Sequence, residues 1–264
     1  MAKIELDKYY TPKDLAEYCV NKTKEIIGEE NITEWLEPSA GCGNFLDYLG
    51  DNYLAYDIAP EDDRIIKQDY LELDLEYKKG RCIIGNPPYG EYNLLSEKFF
   101  KKSIQLGNYI SFIQPISQLN NNIKMYEFDL IYSEDLGELM FSGIKKVRCC
   151  LNIYVKPKNG LNKKKSYKLK DVTATRLDRN SGKDINDYDI AFCSYGASIG
   201  KIIHKKGMYS QEIYIKVNNI EFKERVVSLL SQCNWRDIIP MTATPKIQIW
   251  RVYKYIKEQI PEIE

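Results

Sequence analysis

The sequence predicts an α/β fold: a Rossmann-like, mostly parallel sheet with an antiparallel edge hairpin, followed by a smaller basic region. Three observations predict it. Over the first 155 residues, short apolar runs alternate with amphipathic stretches and close on two apolar runs joined by Ser142-Gly143-Ile144-Lys145-Lys146, the pattern of strands and helices ending in a hairpin. Several of the apolar runs end in acid-, glycine- or proline-bearing turns, and an open α/β sheet gathers its chemistry beyond the carboxyl ends of its strands. The charge also reverses along the chain: up to Val155 there are 17 Lys and Arg against 26 Asp and Glu, and from Lys156 onward 21 against 12. That swing marks a boundary near Pro157, giving a domain over 1–157 and a second region over 158–264, and it suggests that one part faces a polyanion.

Composition narrows the class. With 264 residues, 44% apolar and 29% charged, the chain is ordinary globular material with enough length to bury a core. There is no run long enough to span a membrane, and the polar start does not read as a signal peptide. Seven cysteines without CxxC spacing and a single histidine, His204, argue against a disulfide framework and against zinc, so no metal is expected and a cytoplasmic location fits best.

Taken in order, Tyr9-Tyr10-Thr11-Pro12-Lys13-Asp14 reads as the start of a helix, with Thr11 as cap, Pro12 at the first helical position and Asp14 on the dipole. Ile32 to Leu36 reads as a strand running into Glu37-Pro38-Ser39-Ala40-Gly41-Cys42-Gly43-Asn44, with a helix beginning at Phe45. Its two glycines permit a tight turn and close backbone approach to a ligand, but the third glycine of the dinucleotide fingerprint is missing, which disfavours nicotinamide and flavin. Asn52 to Asp57 is a second strand; Asp57 lies twenty residues after Glu37, where a βαβ nucleotide site places the acid that holds ribose hydroxyls. Arg64 to Tyr70 reads as a third short strand carrying Asp69 at its end. Singly each acid is an ordinary turn residue; together Glu37, Asp57 and Asp69 line one sheet edge as a ligand site.

Cys82-Ile83-Ile84 then ends in Gly85-Asn86-Pro87-Pro88-Tyr89-Gly90. This turn has no ionisable group before its tyrosine. Asn86 offers a side-chain carbonyl, Pro87 a backbone carbonyl without an N–H, and the two prolines remove backbone freedom. Two acceptors and the flat face of Tyr89 suit an uncharged amino group on a nucleobase. An ordinary Asn-Pro turn is the alternative. Leu94 to Leu106 follows as a helix and Tyr109 to Ile113 as a strand stopped by Pro115, with a mixed segment over 118–132. Leu139 to Phe141 and Val147 to Val155 form the hairpin.

In combination and in this order, the Tyr-Thr-Pro start, the glycine loop, Asn-Pro-Pro-Tyr and a trailing recognition region resemble the adenine-specific amino-methyltransferases of DNA, in their gamma-ordered group. The resemblance covers about the first 155 residues. It implies the class I methyltransferase form of the sheet and S-adenosylmethionine as cofactor, with S-adenosylhomocysteine as product. On that likeness Tyr10, Thr11 and Pro12 contact the methionine end, Glu37, Pro38, Ser39, Ala40, Gly41, Cys42 and Gly43 surround the amino-acid and sulfonium part, and Asp57 with Ile58 holds the ribose and flanks the adenine. Asp69 accepts from the cofactor's amino group with Tyr70 beside it, and Asn86 borders the cofactor as well. Asn86, Pro87 and Pro88 present the acceptors for the target amine, Tyr89 stacks on the target base, and Phe141, matched through a one-residue insertion, closes its other face. The implied reaction is direct displacement on a base rotated out of duplex DNA. No cysteine nucleophile is needed, and none is expected beside the turn.

From Lys156 to Asp184 there are ten Lys or Arg against three Asp. Lys163, Lys164, Lys165, Arg176 and Arg179, with Lys145 and Lys146 of the hairpin, are the candidate DNA contacts; a flexible linker with a solvated face is the alternative. Asp189 to Ser194 reads as a strand, and Tyr195 to Ile203 is similar to a stretch recurring in target-recognition domains of restriction-modification specificity proteins. Ile213 to Val217 is a strand, and Glu221 to Leu230 and Trp250 to Ile260 are helices. Expected partners are double-stranded DNA and, in a restriction-modification setting, a cognate endonuclease, with monomer and homodimer both open. An RNA adenine, a protein glutamine, or a non-catalytic DNA-specificity role are the competing readings.

Overall fold

The computed structural model describes residues 10–141, 145–178, 185–239 and 244–264. It divides into two compact units, Met1–Lys165 and Ser166–Glu264.

The first unit is a seven-stranded sheet. Its strands are β1 (Glu34–Glu37), β2 (Tyr53–Asp57), β3 (Ile66–Lys67), β4 (Arg81–Gly85), β5 (Tyr109–Pro115), β6 (Asp129–Phe141) and β7 (Lys145–Val155), in the spatial order β3-β2-β1-β4-β5-β7-β6. β1 to β5 pair in parallel; β7 runs antiparallel to both β5 and β6. Alternation of side chains along each strand divides the core between the two faces. Trp35, Ile84, Ile113, Leu151 and Ile153 point to one face, where helix α1 (Lys13–Ile27) contributes Ala16, Cys19 and Val20. Their sequence neighbours Leu36, Ile83, Phe112 and Tyr154 point to the other, against Phe99 and Phe100 of helix α2 (Leu94–Ser103). With both faces covered, β4 is buried over its whole length.

β5 stops pairing at Pro115, opposite Cys149, while β7 continues back to Lys145 against β6 alone. Four rungs of two-stranded ribbon therefore project beyond the sheet, about 13 Å at the usual rise per residue.

Several local expectations are corrected. Pro12, not Thr11, occupies the position before α1, and no side chain caps that helix. Phe45 to Leu49 forms only a short 3-10 turn at Leu46–Tyr48, because Phe45, Leu46 and Leu49 are drawn into the core and Gly50 turns the chain with φ 72° into β2. Asp69 does not end a strand. The third strand is the two-residue β3, and Asp69 accepts from Leu71 N–H at 2.8 Å to open a second 3-10 turn. α2 ends at Ser103, three residues short of Leu106. β6 starts within the segment read as mixed, and Lys145 and Lys146 belong to β7.

The second unit is a three-stranded antiparallel sheet in the order β8-β10-β9, from β8 (Val172–Asp178), β9 (Ile190–Cys193) and β10 (Gln211–Val217). Helices α3 (Ile220–Gln232), α4 (Trp235–Ile238) and α5 (Ile249–Gln259) close its core around Phe192, Ile213, Trp235, Val252 and Ile256. β8 lies inside the basic stretch read as loop. Its Thr, Arg and Asp positions hid the alternation that Val172 and Leu177 anchor. Tyr253 packs inward and its hydroxyl accepts from Ala174 N–H at 2.9 Å.

Candidate active site

Three loops meet at the carboxyl edge of the first sheet. The first follows β1. Gly41 and Gly43 take φ 55° and 77°, values open to glycine at little cost. Gly41 N–H donates to Asp57 Oδ2 at 2.9 Å, and Ala40 N–H to the Tyr56 carbonyl at 3.0 Å, fastening the loop to the end of β2. The second Asp57 oxygen accepts from Ala59 N–H at 2.8 Å, so this carboxylate organises both loops while keeping lone pairs for a ligand. The Tyr-Thr-Pro segment lies against the same loop. Asn44 Nδ2 donates to the Thr11 carbonyl at 2.8 Å, Tyr10 donates to Glu61 Oε1 at 2.5 Å, and a Cβ on Gly41 would stand 3.2 Å from the Tyr10 ring.

Glu37 closes β1. The residue is 2% exposed, and its Oε2 is buried with no hydrogen-bond partner among the described residues. Burial, and secondarily the charge of Asp57, pushes its carboxyl up to about 8. An orphaned acceptor of this kind costs stability unless something fills it. Ile58, 48% exposed, places an apolar surface beside Asp57, and Tyr70 is buried with its hydroxyl 2.8 Å from Ser103 Oγ.

The Asn-Pro-Pro-Tyr turn leaves β4 beside this cradle. A Cβ on Gly85 would lie 3.5 Å from Glu37 Cγ and Pro38 Cδ, and Ser39 Oγ donates to the Asn86 carbonyl at 3.5 Å. Pro87 is buried; Asn86, Pro88 and Tyr89 are half-buried. The Tyr89 hydroxyl donates to Asn86 Oδ1 at 2.9 Å. It also lies 3.4 Å from Cys149 Sγ, which corrects the expectation of no cysteine beside the turn. Only the pairing of β7 with β5 brings that cysteine here, and no local sequence signal could have found it. Burial pushes the Cys149 thiol up to about 11, so it stays protonated and is no nucleophile.

Within the first unit, the candidate contacts for a polyanion lie toward two edges of the sheet. Phe141 and Lys145 face each other at the end of the ribbon, with exposed Lys146 next to them, on the same edge as Asn86. Lys163, Lys164 and Lys165 follow Asn162, which is held at the opposite edge: its N–H donates to the Glu127 carbonyl and its Nδ2 to Asp129 Oδ1, beside the start of β6. Six strand residues, about 20 Å, separate the two edges. Arg176 is half-buried on β8, and its guanidinium donates to the Ile247 carbonyl. Arg179 lies outside the described residues. Among the described residues no group of His, Cys, Asp and Glu could hold a metal, and no helix is long and apolar enough to cross a membrane.

A sheet in this order, with the reversed strand between the fifth and sixth and a glycine loop at the end of the first, is the class I methyltransferase architecture. No protein-family model matches the chain, and no curated protein does. Among solved structures, a Pyrococcus horikoshii protein assigned as an RNA methyltransferase, PH1948, is 13% identical with a TM-score of 0.47, over 59% of this chain and 90% of that one. The M protein of the type I restriction enzyme EcoKI is 16% identical with a TM-score of 0.44, over 61% of this chain and 47% of that one. A Burkholderia thailandensis 1,6-didemethyltoxoflavin-N1-methyltransferase, solved with S-adenosylhomocysteine, is 11% identical with a TM-score of 0.42, over 54% and 79%. The chain thus spans about half the length of the type I subunit. These likenesses are weak, and their names range over RNA, a restriction system and a small molecule, so they choose no substrate.

Proposed function

We propose that the chain transfers a methyl group from S-adenosylmethionine to the N6 amino group of an adenine taken out of duplex DNA. The observation that carries the reading is the adjacency of two unlike sites on one edge: the cradle of Glu37, Gly41 and Asp57, and the uncharged acceptor turn of Asn86 and Pro87. The cradle fits the cofactor chemically. The orphaned Glu37 Oε2 suits an ammonium group, the bare Gly41–Gly43 backbone admits close approach, Asp57 retains capacity for ribose hydroxyls, and Ile58 offers an apolar surface to an adenine. When bound, S-adenosylmethionine would supply a sulfonium-linked methyl, which the amine nitrogen would take as the C–N bond forms and the C–S bond breaks, with S-adenosylhomocysteine leaving, the surplus amine proton passing to solvent and no covalent enzyme intermediate.

The chain's own part is placement. Asn86 Oδ1 and the Pro87 carbonyl accept the two amine hydrogens and turn the nitrogen lone pair toward the cradle. The Tyr89 hydroxyl donates to Asn86 Oδ1; an incoming amine would take that acceptor, and the Tyr89 ring would stack on the base. Phe141, at the end of the ribbon, is the candidate for the other face. Lys145 and Lys146 flank it as phosphate contacts. Duplex DNA is favoured over a glutamine side chain by the basic character of the chain from Lys156 onward, for which an amide substrate has no use. A cognate restriction endonuclease is the companion this activity suggests.

Labelled methyl transfer to mixed-sequence duplex DNA, followed by nucleoside analysis, tests the proposal. N6-methyladenine, abolished by Asn86→Ala, is the expected product. Label appearing in RNA or protein and none in DNA would overturn it.

A further inference from the structure

Tyr92 stands apart from the machinery above. It is 80% exposed, the highest value of any large apolar side chain among the described residues, and neither its ring nor its hydroxyl meets a partner among them. A single exposed tyrosine is ordinary. The backbone beneath this one is not. Tyr92 and Asn93 both take left-handed conformations, φ 53° and 62°, where non-glycine residues are uncommon and bulky ones strained. The third such residue among those described, Asn120 at φ 49°, lies in the loop after β5, and that loop is joined to this one through Ser117. Asn93 Nδ2 donates to Ser117 Oγ at 3.4 Å, and Asn121 Nδ2 to the Ser117 carbonyl at 3.1 Å.

The base of the loop is fixed. Leu95 and Ser96 N–H both donate to the Tyr89 carbonyl, at 3.2 and 3.4 Å, and Gly90 turns with φ 65°, where a Cβ would sit 2.8 Å from that of Leu95. A rigid, strained turn thus holds a flat aromatic ring out in solvent, three residues beyond Tyr89 and on the edge where Asn86 presents its acceptors. Strain of this sort persists where the surrounding structure imposes it, and it collects at functional sites.

We propose that Tyr92 is a stacking wedge: its ring enters the base stack of duplex DNA at the step from which the target nucleotide is withdrawn, taking up the stacking that the extruded base gives up. This rests on the DNA reading above. Duplex distortion by an inserted apolar side chain is a general way of meeting the cost of unstacking, and an aromatic ring stacks on any base regardless of sequence. Tyr89 and Tyr92 then divide the work, one ring receiving the extruded base and the other holding the helix it left.

The test uses the full chain and mixed-sequence duplex DNA free of N6-methyladenine, comparing wild type with Tyr92→Ala, Tyr92→Leu and Tyr92→Trp. Initial rates of methyl transfer are measured beside the dissociation constant for S-adenosylmethionine and the melting temperature. Tyr92→Ala is expected to slow transfer by about tenfold to a hundredfold, the scale of one lost base–aromatic stack. Tyr92→Leu, apolar but not flat, falls with it, and Tyr92→Trp stays near wild type. Cofactor affinity and melting temperature are unchanged in all three. Transfer by Tyr92→Ala at the wild-type rate, or a defect that Tyr92→Trp shares in full, overturns the wedge and leaves the DNA reading standing. A wild-type chain that binds S-adenosylmethionine and methylates no DNA overturns both.

Discussion

The proposed cofactor cradle and the proposed target turn share one sheet edge and are held in different ways. The cradle is cross-braced: Asp57 gathers two backbone N–H groups, Asn44 ties back the Thr11 carbonyl, and Tyr10 lies over Gly41. Among the described residues, Glu37 Oε2 is its buried oxygen without a hydrogen-bond partner. In the turn, Tyr89 and Ser39 donate to Asn86, and the chain beyond it carries an exposed, strained ring. A site that must recognise one constant small molecule gains from being preformed. A site that must accept a large substrate and close on it gains from groups that exchange partners.

Variants on each side should separate binding from transfer. Asn86→Ala should have the largest effect, lowering methyl transfer about a hundredfold to a thousandfold, the range for removing one positioned polar group at a reacting centre, with cofactor affinity within about fivefold of wild type. Isothermal titration beside the rate assay checks both halves. Gly41→Ala should do the reverse. A side chain at φ 55° against the Tyr10 ring is expected to weaken cofactor binding about tenfold to a hundredfold and cost about 1–2 kcal/mol of stability, read by denaturant melts.

Glu37→Gln sharpens the contrast through pH. The folded, ligand-free chain keeps the carboxyl protonated up to about 8, while the unfolded chain releases that proton near 4.5. The folded state therefore holds more protons over this window, and its stability drains as pH rises through it. Melting temperatures of ligand-free wild type should fall between pH 5 and 8 more steeply than those of Glu37→Gln; parallel curves would show that this group does not titrate so. The variant should also bind the cofactor more weakly at neutral pH. Tyr89→Phe should have the smallest effect, since it removes the hydroxyl that covers Asn86 and keeps the ring, leaving transfer within about threefold of wild type.

What could be read in advance follows the same divide. Glu37, Asp57 and Asn86 stand at strand ends, where short apolar runs stop at acids, glycines and prolines, and those signals are local. The Phe45 helix was misread because its apolar residues serve the core of a turn too short to nucleate a helix. Cys149 beside Tyr89 and the removal of Lys163 to Lys165 to the far edge depend on which way a strand runs between its neighbours, and no local pattern encodes that. Arg176 read as a phosphate contact because charge is visible in a sequence and burial is not.

The ribbon formed by the ends of β6 and β7 has one more consequence. Among the described residues its four outer rungs pair with no third strand, and an isolated two-stranded ribbon is barely stable by itself. Leu139 and Val147 still pack back against the core of the sheet, whereas Glu138, Met140, Lys146 and Arg148 are exposed, so substitutions at those four are felt least by the rest of the fold. On the proposed reading, that exposed face of the ribbon is where the choice of target can drift while the cradle stands still.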